Sequence, residues 1–399
     1  MGEVSNLKRY NVDRFGRKLN YSQDLQNGGE IKFENEDYKK VIEIAEELIS
    51  IKEFKEFTDC DFIEEQICLW SFNTYLEKKA KEEPINYLRR VLYENKKEHV
   101  FYFRTVGLHI EENFFIGNSE LTYLDESFIN SQKVKYKNYE NNFEGETFER
   151  LSKMLNNQVV FKYKTEGTSN FSNNIAKHNV RISSSVLKMF LLKEIDDPNT
   201  RLFDLEFGSY VIPYYSSFSE TTSNKFDLRS NLSSNFGAKP TEITAKRYSE
   251  IKKLGFDLVS NYIKKSPKSE LDFFIRELII SAGRYSSQLD PYEKNVMMVA
   301  WFEKIVNIEN KGRSKGLSKM KKNIIPNIVS ENEINLLENI FITQYKIRDS
   351  YLHNGIELRL DDDLFYRFHY VAIILLKKII ILSETIKTKA ELIEFFEKN

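Results

Sequence analysis

The chain has 399 residues, of which 41% are hydrophobic and 30% are charged, and its net charge is −1 at pH 7. This length predicts two domains, and the share of apolar residues excludes an intrinsically disordered chain. The near-zero net charge excludes a molecule that is basic as a whole, so nucleic-acid binding would require a local basic patch.

Sequence features also predict where the protein is located. No apolar run follows the charges of the first eight residues, so we expect no signal peptide. The most apolar stretch, Val371–Leu382, is interrupted by Lys377 and Lys378, which predicts a buried helix rather than a membrane span. With Cys60 and Cys68 as its two cysteines, the chain is predicted to be cytoplasmic and not associated with a membrane.

Residues 1–235 have the pattern of an α+β region. Apolar spacing from Asp37 to about Lys97 predicts helices, and helical patterns recur near Glu146–Leu155 and Ile182–Leu192. Short β-prone runs predict strands at Val100–Arg104, Val134–Tyr136, Val159–Tyr163 and Ser209–Tyr214. The Ser- and Asn-rich residues 223–240 predict a linker or a domain edge at the end of this region.

Residues 240–399 predict an all-α bundle of antiparallel helices. Capping side chains and a helix-starting proline mark the helix starts at Ser269, at Asp290 with Pro291, at Ser330 with Glu333, and at Asp361. Gly355 is expected to end the Ser330 helix in a left-handed conformation, and the Asp361 helix is expected to reach about Leu382. The predicted fold class is therefore an α+β region followed by a helical bundle, predominantly α overall.

One segment of the bundle, Tyr345–Gly355, contains an Arg-x4-His spacing at Arg348 and His353. The same spacing occurs at Arg104 and His109, but there it lies in a β-like run, where residues five apart point to opposite faces. We interpret the Arg104 copy as accidental. For the second copy the alternative interpretation is structural, with Arg348 a surface cation and His353 complementing the helix dipole.

The Arg348–His353 segment resembles the signature of the HEPN superfamily. Its local sequence looks most like that of the ApeA-like branch, which is linked to anti-phage defence. Ala300–Glu303 is similar to an Ala-x-x-Glu stretch of that family, and the resemblance covers roughly residues 240–385. Asn354, which separates His353 from Gly355, is a departure from the family pattern. The resemblance implies a HEPN-type bundle with metal-independent endoribonuclease activity, no cofactor, RNA as substrate, and a homodimer that joins two Arg–His pairs in one cleft. It also implies that residues 1–235 sense a phage-derived trigger or restrain the bundle in abortive infection.

The residue types fit cleavage of RNA without a metal. Histidine titrates near neutral pH, so His353 is predicted to transfer protons, and the fork-shaped guanidinium of Arg348 to neutralise charge on the phosphoryl oxygens. Asp349 is predicted to orient Arg348 or His353, although an exposed acid without a role is the alternative. No His-Glu-x-x-His, Cys-x2-Cys or P-loop motif occurs in the sequence. Apolar dimer surface is expected from Tyr345, Tyr351 and Leu352.

A basic segment lies between the Glu303 and Arg348 helices. It contains six cations and no acidic residue: Lys311, Arg313, Lys315, Lys319, Lys321 and Lys322. A flexible loop with these residues is predicted to contact RNA phosphates, the alternative being a solvated loop without a ligand.

Two other interpretations of the function remain open. One is a non-catalytic HEPN-like module that binds a protein or nucleic acid, and the other is an unrelated bundle with an accidental motif.

Overall fold

The computed structural model describes most of the chain. The described residues are 35–75, 82–135, 156–192, 203–205, 216–221, 226–230, 241–288, 290–306 and 316–398, with short strands at 11–12 and 18–19. Backbone proximity divides the chain into two compact units. The first is residues 1–100 with 164–177 and 220–225, and the second is residues 101–163 with 178–219 and 226–399. The units do not divide at residues 235–240, and the independence of 240–399 as a domain stays a prediction.

The first unit is mainly helical. Strands β1 (Asn11–Val12) and β2 (Lys18–Leu19) pair antiparallel, and the helices are α1 (Asn35–Ile49), α2 (Lys52–Lys55), α3 (Cys60–Tyr75) and α4 (Pro84–Asn95). Ala45, Phe54, Ile63, Leu88 and Leu92 form one of its buried clusters. The helices predicted between Asp37 and Lys97 are confirmed.

Among the described residues, strands β3 to β11 form two separate sheets, of which β4 and β11 make up the smaller one. In chain order these strands are β3 (Lys97–Val106), β4 (Leu108–Ile110), β5 (Phe114–Ile116), β6 (Ser119–Leu124), β7 (Gln158–Gly167), β8 (Asp204–Leu205), β9 (Ser216–Thr221), β10 (Phe226–Ser230) and β11 (Thr241–Ile243). The sheet order is β10-β9-β3-β7-β6-β5, with β8 also paired to β3, while β11 pairs parallel with β4. Helix α5 (Glu126–Lys135) follows β6, and helix α6 (Ser169–Leu191) follows β7.

The outcome for the predicted strands is mixed. Val100–Arg104 and Val159–Tyr163 lie in β3 and β7, so these two predictions are confirmed. The strand predicted at Val134–Tyr136 is wrong for its described residues, because these belong to α5, whose first turn is capped by the Asp125 carboxylate. The patterns at Glu146–Leu155 and Ser209–Tyr214 lie outside the described residues. The predicted linker contains β10, so it is not a linker over residues 226–230.

The C-terminal part is helical, as predicted. Its helices are α7 (Ala245–Lys253), α8 (Phe256–Lys264), α9 (Glu270–Ser287), α10 (Pro291–Val306), α11 (Gly316–Lys319), a π-helix (Met320–Ile324), α12 (Ile325–Ile328), α13 (Glu331–Asn354), α14 (Asp362–Leu382) and α15 (Lys389–Lys398). The expected caps form at Ser269, Asp290, Ser330 and Asp361, and Gly355 is left-handed with φ 64°. In the parts of the chain that are described, no helix is long and apolar enough to cross a membrane.

Residues 178–191 of helix α6 belong to the second unit and contain a fully buried stretch. Every residue from Ile182 to Leu192 is buried, including Ser183, Ser184, Ser185 and Lys188. The Ser183 hydroxyl donates to the Ile116 carbonyl at 2.9 Å, which connects α6 to β5. On the helical side, the α6 carbonyl of Met189 lies 2.7 Å from Nε2 of His369 in α14. The strands and the C-terminal helices therefore share α6 as common core.

Gly283 lets α9 approach α6. A Cβ at position 283 would lie 2.7 Å from the Ser185 Cα, closer than any relaxed contact. We predict that Gly283→Ala destabilises the protein by about 1–3 kcal/mol, because the clash with backbone outweighs the better helix propensity of alanine. Urea unfolding of the full chain measures this difference, and a variant as stable as the wild type would contradict the close approach.

His369 is buried as a neutral imidazole between two partners. Its Nε2 donates to Met189 and its Nδ1 accepts from the Tyr285 hydroxyl at 3.1 Å. Burial, with the nearby positive charge of Lys294, lowers the pKa of His369 from 6.5 to about 4. The unfolded chain therefore binds this proton at higher pH than the folded chain does.

The sign of the pH effect follows from this depressed pKa. The contribution of His369 to stability is complete above pH 6.5 and is lost as the pH falls towards 4, by about 3 kcal/mol in all. Unfolding free energies at pH 7 and pH 4.5 should therefore differ more for the wild type than for His369→Gln, which cannot titrate. Equal losses for the two proteins would show that His369 does not carry this pH dependence.

Candidate functional site

Helix α13 carries both residues of the Arg-x4-His motif. Phe341 of α13 packs against Phe302 of α10 and Phe368 of α14, with ring centroids 4.9 Å apart in both pairs. Phe302 and Phe368 lie 4.6 Å apart, so the three rings form a closed triangle. This aromatic triangle sets the position of α13 relative to the Glu303 end of α10.

Arg348 and His353 lie on different faces of α13. Five residues correspond to about 140° around an α-helix and roughly 7.5 Å along its axis. Arg348 is on the side of buried Phe341 and Tyr345, whereas His353 is exposed in the last turn. The structure therefore does not bring the two predicted catalytic side chains together within one chain.

The Arg348 guanidinium is held by two carboxylates. Its Nη2 donates to both oxygens of Glu303, at 3.0 and 2.9 Å, and its Nη1 donates to Asp349 Oδ1 at 2.7 Å. The side chains of Arg348 and Glu303 are only 21% and 15% exposed. Burial acts to lower the pKa of Arg348, but the hydrogen bond that its guanidinium donates to Asp349 and the negative charge of Glu303 outweigh this effect and raise the pKa.

Tyr345 and Gly316 complete the surroundings of Glu303. The guanidinium carbon of Arg348 lies 5.7 Å from the centre of the Tyr345 ring. Burial and then the charge of Glu303 raise the pKa of Tyr345, so its hydroxyl keeps its proton. A Cβ at Gly316 would lie 3.0 Å from Glu303 Oε1 and 3.3 Å from the Tyr345 hydroxyl, so only glycine fits without displacement.

Sequence reasoning missed Tyr345 and Gly316 as part of this site. The expectation that Tyr345 contributes exposed apolar surface is wrong, because this residue is buried. Helical periodicity shows which residues share a face, but their contact with Glu303 depends on how α10, α11 and α13 pack. Glu303 itself was singled out by the Ala300–Glu303 stretch.

His353 is exposed and lies close in sequence to two exposed apolar residues. Within the described residues it makes no hydrogen bond or ion pair, and Leu352 and Ile356 beside it are both more than half exposed. Tyr351 stacks on Tyr292 with ring centroids 5.5 Å apart and is half-buried. Of the three residues expected to offer apolar surface, Leu352 is therefore the exposed one.

The predicted basic loop is only partly described. Lys311, Arg313 and Lys315 lie outside the described residues. Residues 316–322 are helical, so the expectation of a flexible loop is wrong for this part.

The described cations of this segment differ in their partners. The Lys319 ammonium donates to the Val306 carbonyl at the end of α10, at 3.3 Å, and Lys321 forms an ion pair with Glu338 at 2.9 Å. Lys322 is exposed and makes no such contact in the described part of the chain. Two of the three ammonium groups are thus bonded to other groups of the protein, and phosphate binding by this segment stays a prediction.

The second Arg-x4-His copy has separate local partners. Arg104 in β3 donates to the Gln158 side chain at 3.3 Å, and His109 in β4 lies 3.4 Å from the Tyr123 hydroxyl. Gly107, with φ 74°, turns the chain between the two strands. The exposed His109 therefore offers a matched control for His353.

No protein-family model, curated protein or solved structure matches the chain. The resemblance to HEPN ribonucleases therefore depends on the motif residues named above, and it stays a prediction.

The Glu303–Arg348 pair is expected to stabilise the helical part. We predict that Glu303→Gln costs about 1–3 kcal/mol, because it leaves a largely buried guanidinium with one exposed carboxylate partner. Glu338→Gln, which removes the more exposed ion pair with Lys321, should cost less than about 1 kcal/mol. Urea unfolding of the two full-length variants makes the comparison, and equal losses would contradict a special contribution of Glu303.

Proposed function

We propose that the protein is a metal-independent RNA endonuclease of the HEPN type that acts in anti-phage defence, with Arg348 and His353 as its reacting groups. The observation that carries the proposal is the combination on α13 of a guanidinium fixed by Glu303 and an exposed imidazole that has no hydrogen-bond partner among the described residues. A positioned cation and a free proton carrier are the two groups that metal-free cleavage of RNA requires.

The proposed site is composite. Because Arg348 and His353 lie on different faces of one helix, one chain alone does not direct both at the same phosphate. In the proposed homodimer, His353 of one copy acts on the phosphate that Arg348 of the other copy holds. The exposed Leu352 and Ile356 beside His353 are apolar surface that such an interface would cover.

The chemistry follows from these roles. His353 takes the proton of the RNA 2′-hydroxyl, whose oxygen forms a bond to the adjacent phosphorus. The bond from phosphorus to the 5′-oxygen breaks, and that oxygen receives the proton that His353 has taken up. Arg348 stabilises the negative charge on the non-bridging oxygens. The products are a 2′,3′-cyclic phosphate and a 5′-hydroxyl, and the reaction uses neither metal nor cofactor.

A non-catalytic HEPN-like module that binds a protein or nucleic acid is the second candidate. The observation in its favour is that two carboxylates occupy Arg348 and that His353 is directed elsewhere. Only the nuclease should arrest growth when the protein is overproduced in bacteria, and only with His353 intact.

His353→Ala should lower RNA cleavage by about 100-fold or more and abolish growth arrest, because the proton carrier is lost while an exposed helix end is little disturbed. Arg348→Lys should also lose RNA cleavage, since an ammonium does not reproduce the guanidinium fork. His109→Ala is the matched control and should cleave like the wild type. Cleavage is measured on labelled RNA with purified full-length protein.

Two results would contradict the proposal. One is wild-type cleavage by His353→Ala protein. The other is cleavage that stops in EDTA and returns with magnesium or manganese, because the proposed reaction should be unaffected by a chelator.

A further inference from the structure

Asp349 makes an ion pair that helix geometry does not favour. Side chains of consecutive helical residues point about 100° apart and do not face each other. The Asp349 carboxylate nevertheless lies 2.7 Å from Nη1 of Arg348, the preceding residue. The contact forms because the long arginine side chain reaches round the helix, not because the backbone places the two groups together.

The two carboxylates on Arg348 differ in how firmly they are held. Glu303 is 15% exposed, whereas Asp349 is 52% exposed. An ion pair with an exposed partner contributes little, because water solvates the separated charges well. Glu303 is therefore the permanent anchor on Nη2, and Asp349 is the exchangeable partner on Nη1.

A second partner for Asp349 lies on the same face of α13. Residues four apart on a helix are neighbours, with about 5–6 Å between their Cβ atoms. His353 is four residues after Asp349, is exposed, and makes no hydrogen bond within the described residues. When the Asp349 carboxylate leaves Arg348, it can accept a hydrogen bond from the His353 ring without any change in the backbone.

We propose that Asp349 is a two-position carboxylate, which occupies Arg348 in the free protein and moves to His353 when a phosphodiester takes its place on Nη1. With Asp349 on Arg348, two negative charges face one positive charge, and an incoming phosphate is repelled. With Asp349 on His353, the guanidinium edge is open, and the imidazole is oriented by a carboxylate. The inference rests on the proposed function for the identity of its ligand, an RNA phosphodiester. It makes Asp349 a positioning residue that also restricts binding.

Asp349→Asn separates the two effects, because it keeps the size of the side chain and removes the charge. Loss of the competing charge should strengthen binding of a 2′-O-methyl RNA, which cannot be cleaved, by about three- to tenfold. Loss of the carboxylate on His353 should at the same time lower kcat for ordinary RNA. The expected signature is thus a lower KM together with a lower kcat.

Glu94→Gln is the matched control. Glu94 is 54% exposed and pairs with Arg90, which a second glutamate, Glu82, also holds. The variant removes one negative charge from a similar arrangement far along the chain, and its RNA affinity should equal that of the wild type.

Fluorescence anisotropy with the full-length proteins decides the outcome. Binding of 2′-O-methyl RNA by Asp349→Asn that is equal to or weaker than wild-type binding, or absent, overturns the proposal. Tighter binding with an unchanged kcat overturns the transfer to His353. Failure of the proposed function is seen separately, as ordinary RNA left intact by wild-type protein, and the binding comparison does not depend on cleavage.

Discussion

The second unit depends on one constraint, the complete burial of α6 from Ile182 to its end at Leu191. A helix without solvent contact must satisfy its polar groups inside the protein. The Ser183 hydroxyl does so at the Ile116 carbonyl, and the Lys188 ammonium at Asp204, 2.6 Å away. Because these partners come from the β part and His369 from the helical part, burying α6 requires both parts to fold around it.

The same core places the candidate site. His369 bonds to α6, and the preceding residue, Phe368, belongs to the aromatic triangle with Phe302 and Phe341. Phe302 is followed directly by Glu303, so the packing that fixes α10 and α14 also fixes the carboxylate that receives Arg348. The electrostatics of the site are therefore a consequence of the apolar packing between α10, α13 and α14.

Local signals explain which parts of the fold could be predicted from the sequence. The caps at Ser330 and Asp361 depend on residues within one turn, so the helix starts were predictable. Val134, where a strand was expected, instead lies in the last turn of α5, a helix that Asp125 caps at its start. Neither the burial of Tyr345 beside Glu303 nor the packing of α6 against α9 and α14 could be predicted, since both depend on tertiary contacts distant in sequence. The Arg348–His353 spacing could be read from the sequence. The angle between the two side chains could not, because it depends on α13 continuing as a helix to Asn354.

If the protein has the proposed ribonuclease function, the charges around Arg348 would limit its activity in the free chain. In one chain the guanidinium faces Glu303 and Asp349, so the group that should bind phosphate is surrounded by net negative charge. On the proposed function, activity then needs two events that a single free chain lacks, displacement of Asp349 and delivery of a histidine by a second copy. Each event alone leaves the site incomplete. Displacement of Asp349 frees Arg348 to bind phosphate but supplies no proton carrier, and delivery of His353 supplies a proton carrier where no phosphate is bound. Dependence on both would keep basal cleavage low without any separate inhibitor.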